Sequence, residues 1–412
     1  MLFQKRFEYL AGYLRAHDIP LRVALWDGKT FELGNNPSVT IRAPQPDALR
    51  YLINPDLGAL GQAYVEGKLE VEGEVSGVID VVVRLARHAS SRKPLPSGLS
   101  AARQHTPDLD AESIAYHYDV SNRFYGLWLD SNMVYSCGYF RQAGDSLERA
   151  QIQKIDHILR KIRLKPGDRL LDIGCGWGAL AMRAVTHYGA HATGITLSRN
   201  QHDYAREKIA AAGIGDRCHV LLADYREMIG QFDKITSVGM FEHVGLKHLR
   251  EYFAKMRALL TDEGIALNHG ITAANPDSES VGFGGGEFID RYVFPNGELP
   301  HIGLALKEMS AAGLEAFDIE NLRPHYAMTL RHWSRRFEAA APEIRAEAGE
   351  KRYRIWRMYL AGCAHAFEHQ WTAIHQVLAV KAGHIGLGPL PLTRDDLYAP
   401  PTPMVGMGLP AH

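Results

Sequence analysis

Residues 168–180 read DRLLDIGCGWGAL. An apolar run ends at Asp172 and opens into Gly174, Gly176 and Gly178, after which a helix begins. Glycine takes positive φ and lets the backbone approach a ligand closely. A ligand at such a turn sits at the C-terminal end of the strand and beside the helix N-terminus. The spacing is Asp-x-Gly-x-Gly-x-Gly, not the Gly-x-Gly-x-x-Gly of dinucleotide sites. Taken alone, it also fits a tight strand-to-helix turn with no ligand, in which Cys175 is a small filler. The following strand should end in an acid that holds a ribose. Instead residues 192–201 read ATGITLSRNQ, where Thr196, Ser198 and Gln201 supply hydroxyl and amide groups that can still bond a diol. Further on, LLADYRE offers Asp224 and Tyr225 to an adenine, one by hydrogen bond and one by packing. The competing reading is a loop acid and a buried aromatic.

These residues need a frame. The chain has 412 residues, 46% of them apolar, too long for one compact domain and rich enough for sizeable cores. The net charge of −1 disfavours a nucleic-acid binder driven by bulk charge. Cys137, Cys175, Cys218 and Cys363 lie far apart with no CxxC pair, which disfavours a zinc site and a disulfide framework and suits a reducing compartment. The N-terminus lacks a secretory apolar core, and no stretch is long enough to span a bilayer. The expected location is therefore cytoplasmic, with any membrane contact peripheral.

Residues 1–90 read as a small α+β unit: a helix over 1–20, strands LRVALWDG, TFELG and SVTIRA with an Asp27–Gly28 hairpin, a helix over 46–65, then strand and helix. Residues 91–111, rich in Ser, Pro, Gly and Arg, read as a linker. From 112 to 390 the pattern alternates: helix 146–163, strand 168–174, helix 178–188, strand 190–196, helix 199–212, strand 217–222. Alternation of this kind predicts an α/β fold with a parallel, doubly wound sheet. Basic, aromatic helices are expected over 328–340 and 350–379. Residues 391–412 form a Pro-rich tail, irregular from Gly388.

The glycine loop resembles motif I of class I methyltransferases. Residues 116–140 (YHYDVSNRFYGLWLDSNMVYSCGYF), 239–245 (GMFEHVG) and 292–301 (YVFPNGELPH), together with DIGCGWG and GITLSRNQ, resemble the cyclopropane-fatty-acyl-phospholipid synthase family and its relatives, the mycolic acid cyclopropane synthases. The resemblance covers essentially the whole chain, and the missing ribose acid is part of that family's pattern. It implies a Rossmann-like class I methyltransferase sheet with a smaller N-terminal α+β lipid-binding domain. It implies S-adenosylmethionine (SAM) held by Tyr135, Ser136, Asp172, Gly174, Cys175, Gly176, Gly178, Ile195, Thr196, Leu197, Gln201, Asp224, Tyr225 and Arg226. Relatives often carry Trp-Glu where this chain has Tyr225–Arg226. It also implies a bicarbonate ion held by Cys137, Glu242, His269, the backbone of Ile271, and Tyr326. Each has a plainer reading: Cys137 as packed filler, Glu242 with His243 as a helix-capping pair, His269 and Tyr326 as satisfied core residues.

The implied reaction is demanding. A sulfonium methyl is electrophilic, but an isolated alkene is a poor nucleophile, and transfer builds positive charge on the acyl chain. The site must exclude water, offer aromatic faces and fix a base that removes a proton so that a ring can close. Whether Glu242 orients that base or is the base stays open at the level of sequence. Cys363, in MYLAGCAHAFEHQW, matches a family cysteine regarded as catalytic, yet a thiolate has no task in this scheme and is expected to line an acyl tunnel. The substrate implied is a cis-unsaturated phospholipid acyl chain; a relative that stops at a methyl or methylene branch is the alternative. Arg84, Arg87, Arg92, Lys93 and the stretch Arg331, Trp333, Arg335, Arg336, Phe337 are the expected docking residues on the inner face of the membrane. A homodimer is implied, and no nucleic-acid partner.

Overall fold

The computed structural model describes residues 2–53, 55–89, 120–277, 285–294, 297–383 and 390–398. The expected linker, with Arg92 and Lys93, the start of the 116–140 motif, Pro295 and Asn296, and the end of the tail lie outside them.

The N-terminal unit runs α1 (Leu2–Arg15), β1 (Leu21–Leu25), β2 (Thr30–Glu32), β3 (Val39–Ala43), α2 (Leu49–Ile53), α3 (Leu57–Val65), β4 (Glu70–Glu72) and α4 (Val75–Ala89). The strands order as β2-β1-β3-β4, with β1 and β3 parallel and the other pairs antiparallel. Gly28 takes φ 82° in the hairpin turn. The single helix expected over 46–65 is instead broken into α2 and α3 around Pro55, which has no N–H to continue a helix, and Asp56 caps the restart by accepting from Ala59 N at 2.9 Å. Helix α4 is apolar on two faces. Val78, Val81, Val82 and Leu85 fill the unit's own core, while Val75, Ile79 and Val83 pack against Ala361 of the second unit.

The second unit continues with α5 (Asn122–Gly126), α6 (Leu147–Lys161), β5 (Arg169–Ile173), α7 (Ala179–Tyr188), β6 (His191–Thr196), α8 (Arg199–Ala211), β7 (Cys218–Leu222), β8 (Phe232–Val238), α9 (Leu249–Leu259) and β9 (Leu260–Ala273). It closes with α10 (Gly285–Tyr292), α11 (Ile302–Ala311), β10 (Leu314–Asn321), α12 (Arg323–Ala339), α13 (Ala341–Glu368), β11 (Thr372–Lys381) and α14 (Asp395–Tyr398). The strands form a seven-stranded sheet, β10-β11-β9-β8-β5-β6-β7. The five from β9 to β7 are parallel to their neighbours, but β11 runs antiparallel to both β9 and β10. The sheet is therefore mixed, not wholly parallel. Residues 372–379, expected as the end of a long helix, are strand. Gln370 takes φ 61° and stops the helix, and TAIHQVLAVK is buried along most of its length, so its apolar run carries no period that separates strand from helix. The tail is not wholly irregular: Leu390 joins the core cluster that contains Ile158, and Arg163 pairs with Asp396 at 3.0 Å.

The units are joined by a polar seam. Arg354 donates to Tyr64 O and to Glu70, each at 2.9 Å. Arg357 donates to Gly73 O at 2.9 Å, Tyr64 Oη at 3.2 Å and Glu338 at 2.8 Å.

Candidate active site

The glycine loop leaves β5 and folds back on β6, where Gly174 N and Cys175 N both donate to Ile195 O at 3.0 and 2.9 Å. All three glycines have positive φ. A Cβ at Gly174 would lie 2.9 Å from Met240, while one at Gly176 would meet nothing, leaving that stretch of backbone open to a ligand. The loop borders a cavity of about 140 Å³ at the C-terminal ends of β5, β6 and β8. Of the residues expected to hold the cofactor, Tyr135, Ser136, Asp172, Gly174, Cys175, Gly176, Ile195, Thr196, Leu197, Gln201, Asp224, Tyr225 and Arg226 line it. Gly178 does not; it begins α7 and packs against Ala205.

Local bonding decides what each residue can offer. Thr196 Oγ1 donates to Gln201 Oε1 at 2.8 Å, so the Gln201 amide nitrogen is the group left for a ligand. Ser198 caps α8 by accepting from Gln201 N and is a structural residue. Asp224 is bonded by Arg226 through N, Nε and Nη2 at 2.8, 2.9 and 2.7 Å. Burial pushes its carboxyl up, but those bonds outweigh burial and hold it below the usual range. Asp172 accepts from Thr236 Oγ1 at 2.8 Å, and burial lifts its carboxyl to about 6.

A second cavity of about 460 Å³ adjoins the first. Tyr135, Ser136, Gly239 and His243 line both, so these residues form a shared wall. Cys137, Glu242, His269, Ile271, Tyr326 and Cys363 all face the second cavity. Most of its remaining lining is apolar and comes from both units, including Leu57, Leu60, Ile79, Val82 and Val83 of the first. Aromatic rings crowd the boundary: Tyr135 lies 5.2 Å from Trp333 and Tyr326 4.7 Å from Phe367, centroid to centroid.

Within this apolar space sits one polar spot. Glu242 lies in a short turn, Phe241–His243. That turn is pressed onto β9 because Gly270 lacks a side chain; a Cβ there would come within 2.4 Å of Phe241. Glu242 Oε1 accepts from Ile271 N at 2.7 Å, so that N–H is committed to the carboxylate and not offered to an anion. Gln376 Nε2 donates to His269 Nδ1 at 3.0 Å, which places the ring proton on Nε2. Glu242 Oε2 and His269 Nε2 are buried and have no hydrogen-bond partner among the described residues. Burial lifts the Glu242 carboxyl to about 7, opposed by the Ile271 N–H, and holds His269 neutral, well below its usual value. An acceptor and a donor, both buried and unmatched, suit a small ligand that carries both a hydroxyl and an anionic oxygen. Bicarbonate has that composition.

Cys137 donates to Gly138 O at 3.2 Å, and burial keeps its thiol protonated. Burial raises Cys363 to about 12. The docking helix expected around Arg331–Phe337 is corrected: Trp333 and Phe337 are fully buried in the aromatic core, Arg331 pairs with Glu368, and Arg336 donates to Leu129 O and Glu148. Arg84 donates to His17 O and Asp18 O. Of the described set, Arg87, Arg331 and Arg335 are exposed, Arg331 while paired with Glu368.

Sequence reasoning missed Lys154, which lines the first cavity, and Gln376, which fixes His269. Lys154 was detectable: with Leu147, Gln151 and Ile158 it follows helical spacing along the buried stripe of α6. Gln376 was hidden by the misread strand.

Fold and glycine-loop cavity together define a class I SAM-dependent methyltransferase. Residues 105–377 match the family model described as mycolic acid cyclopropane synthetase, and residues 13–93 match a domain of unknown function. A probable fatty acid methyltransferase of Pseudomonas putida is 48% identical over 93% of this chain and 98% of its own. The cyclopropane-fatty-acyl-phospholipid synthase of Escherichia coli strain K12 is 35% identical over 84% of this chain and 89% of its own. A mycolic acid cyclopropane synthase crystallised with SAH and CTAB superposes with a TM-score of 0.63 at 35% identity, covering 66% of this chain and 98% of that one. The chain belongs to the mycolic acid cyclopropane synthetase family.

Proposed function

We propose that the chain methylates the cis double bond of unsaturated phospholipid acyl chains and closes the product to a cyclopropane. The supporting observation is the shared wall. A cofactor in the first cavity and an acyl chain in the second would meet at Tyr135, Ser136, Gly239 and His243. SAM supplies an electrophilic methyl, and bicarbonate a base. The chain's own residues do the rest. The apolar lining excludes water that would trap positive charge, and the rings of Tyr135, Tyr326 and Phe367, which line the second cavity, favour that charge. Glu242 Oε2 accepts the hydroxyl of the bound anion while His269 Nε2 donates to it, with Cys137 and Tyr326 closing the pocket. In this reading Glu242 orients the base and is not itself the base.

A second reading stops at a methyl or methylene branch, and the 48% identical fatty acid methyltransferase favours keeping it in view. No helix of the described residues is long and apolar enough to cross a membrane. The proposed setting is a homodimer bound peripherally to the inner face of the bilayer, in the cytoplasm. Mass spectrometry of acyl chains after incubation with SAM and monounsaturated phospholipid vesicles tests the reaction. A gain of one CH₂ with ring fragmentation supports closure; the same gain with branched fragmentation supports the second reading; no gain despite cofactor binding overturns both.

A further inference from the structure

One buried cation in the cofactor cavity has no task in this scheme. Lys154 is 2% exposed and borders the cavity. An ammonium carries three donors, and Lys154 Nζ donates to Ser136 Oγ at 2.8 Å. One turn earlier, Gln151 Nε2 donates to Ser136 O at 2.8 Å, so α6 grips Ser136 by hydroxyl and by carbonyl. The nearby carboxylates are taken up elsewhere. Asp130 accepts from Val134 N at 2.9 Å and Asn132 N at 3.0 Å, and Asp172 accepts from Thr236. Neither forms a salt bridge with Lys154 among the described residues. Desolvation pulls the amine down to about 8, the mark of a cation short of partners. A buried cation in want of an anion is costly to keep unless a ligand completes it.

The cavity has polar groups at two ends. Asp224 and Tyr225 lie beyond β7, where the adenine of a bound cofactor would sit; Asp172, Ser136 and Lys154 lie at the other end of the cavity. We infer that Lys154, together with Ser136, binds the carboxylate of the cofactor's methionyl group and so selects cofactors that carry an intact amino-acid end. This rests on the first cavity being the SAM site.

The test is calorimetric titration of the full chain with S-adenosylhomocysteine, its carboxyl methyl ester, and 5′-methylthioadenosine, which lacks the amino-acid end. In the unsubstituted protein the ester should bind about tenfold or more weakly than the acid, the weight of one charge-assisted bond. Lys154→Met should lose about tenfold or more for the acid and less than about threefold for 5′-methylthioadenosine, so that acid and ester converge. A structural role would weaken all three compounds together, and that result overturns the inference. Equal binding of acid and ester by the unsubstituted protein overturns it whether or not the variant folds. Failure of S-adenosylhomocysteine to bind the unsubstituted protein would remove the cofactor assignment, and this inference with it.

Discussion

Glu242 is held by the strand it faces: Ile271 N–H takes one carboxylate oxygen and leaves the other pointing into an apolar cavity. Glu242→Gln keeps the shape and the bond from Ile271 but weakens the acceptor. S-adenosylhomocysteine affinity should stay within about twofold, while acyl-chain turnover by mass spectrometry falls about a hundredfold or more, the usual weight of a proton-transfer arrangement. Turnover that survives the change removes the anion-pocket reading. The sign of the pH dependence follows from burial. With the carboxyl raised to about 7, Glu242 is protonated on the acid side and cannot accept a hydroxyl proton, so at fixed bicarbonate the rate should climb as pH rises through about 7. The residual rate of the Gln variant should lack that limb. Cys363 is a different case. Its thiol, raised to about 12, is protonated at neutral pH and no nucleophile. Cys363→Ala should retain turnover within about threefold, whereas alkylation of the native thiol should abolish it by filling the cavity. Loss of activity in the Ala variant would give the sulfur a chemical role.

At the level of elements, α3 and α4 complete the wall of the second cavity, and this gives the N-terminal unit a measurable effect on the reaction. Ile79 lies where α4 meets Ala361 and borders the cavity. Ile79→Trp should shorten the acyl chains accepted from vesicles of mixed chain length, without altering cofactor affinity; an unchanged product spectrum would separate α4 from the acyl path. Much of this was legible in the sequence. The strand–glycine–helix signal at 168–180 located the cofactor loop, and the segments around Tyr135, Glu242, His269 and Tyr326 converge on adjoining cavities. What was not legible depends on pairing between distant segments. TAIHQVLAVK is buried on both faces, so its period is silent and its identity as β11 comes only from the strands beside it. Trp333 and Phe337, read as interfacial beside their arginines, are core because α5 and α13 pack against that face; the arginines reach round them to acids and carbonyls that sequence spacing does not reveal. Asp224 and Arg226 were placed at the cavity by sequence, but their pairing with each other was not.

Across the whole molecule, the two units share one cavity, so its geometry depends on the seam between them. Arg357 is buried there, with Gly73 O, Tyr64 Oη and Glu338 as partners. Arg357→Met removes all three bonds and leaves Glu338 without its guanidinium. The expected loss is about 3 kcal/mol in urea unfolding, with acyl turnover falling more than cofactor affinity. Unaltered stability would mean that the seam is held by the apolar face of α4 alone. The position of β11 bears on synthesis. Among the described residues it is the last strand of the sheet in sequence, yet it lies inside, between β9 and β10, and it carries Gln376, which sets the proton on His269. A chain still being translated can assemble the glycine loop and its parallel strands before residue 372 is made, but the histidine proposed to handle the anion waits for the strand that carries Gln376. A product truncated before residue 372 would thus keep the cofactor loop's strands and helices while lacking the partner that orients His269.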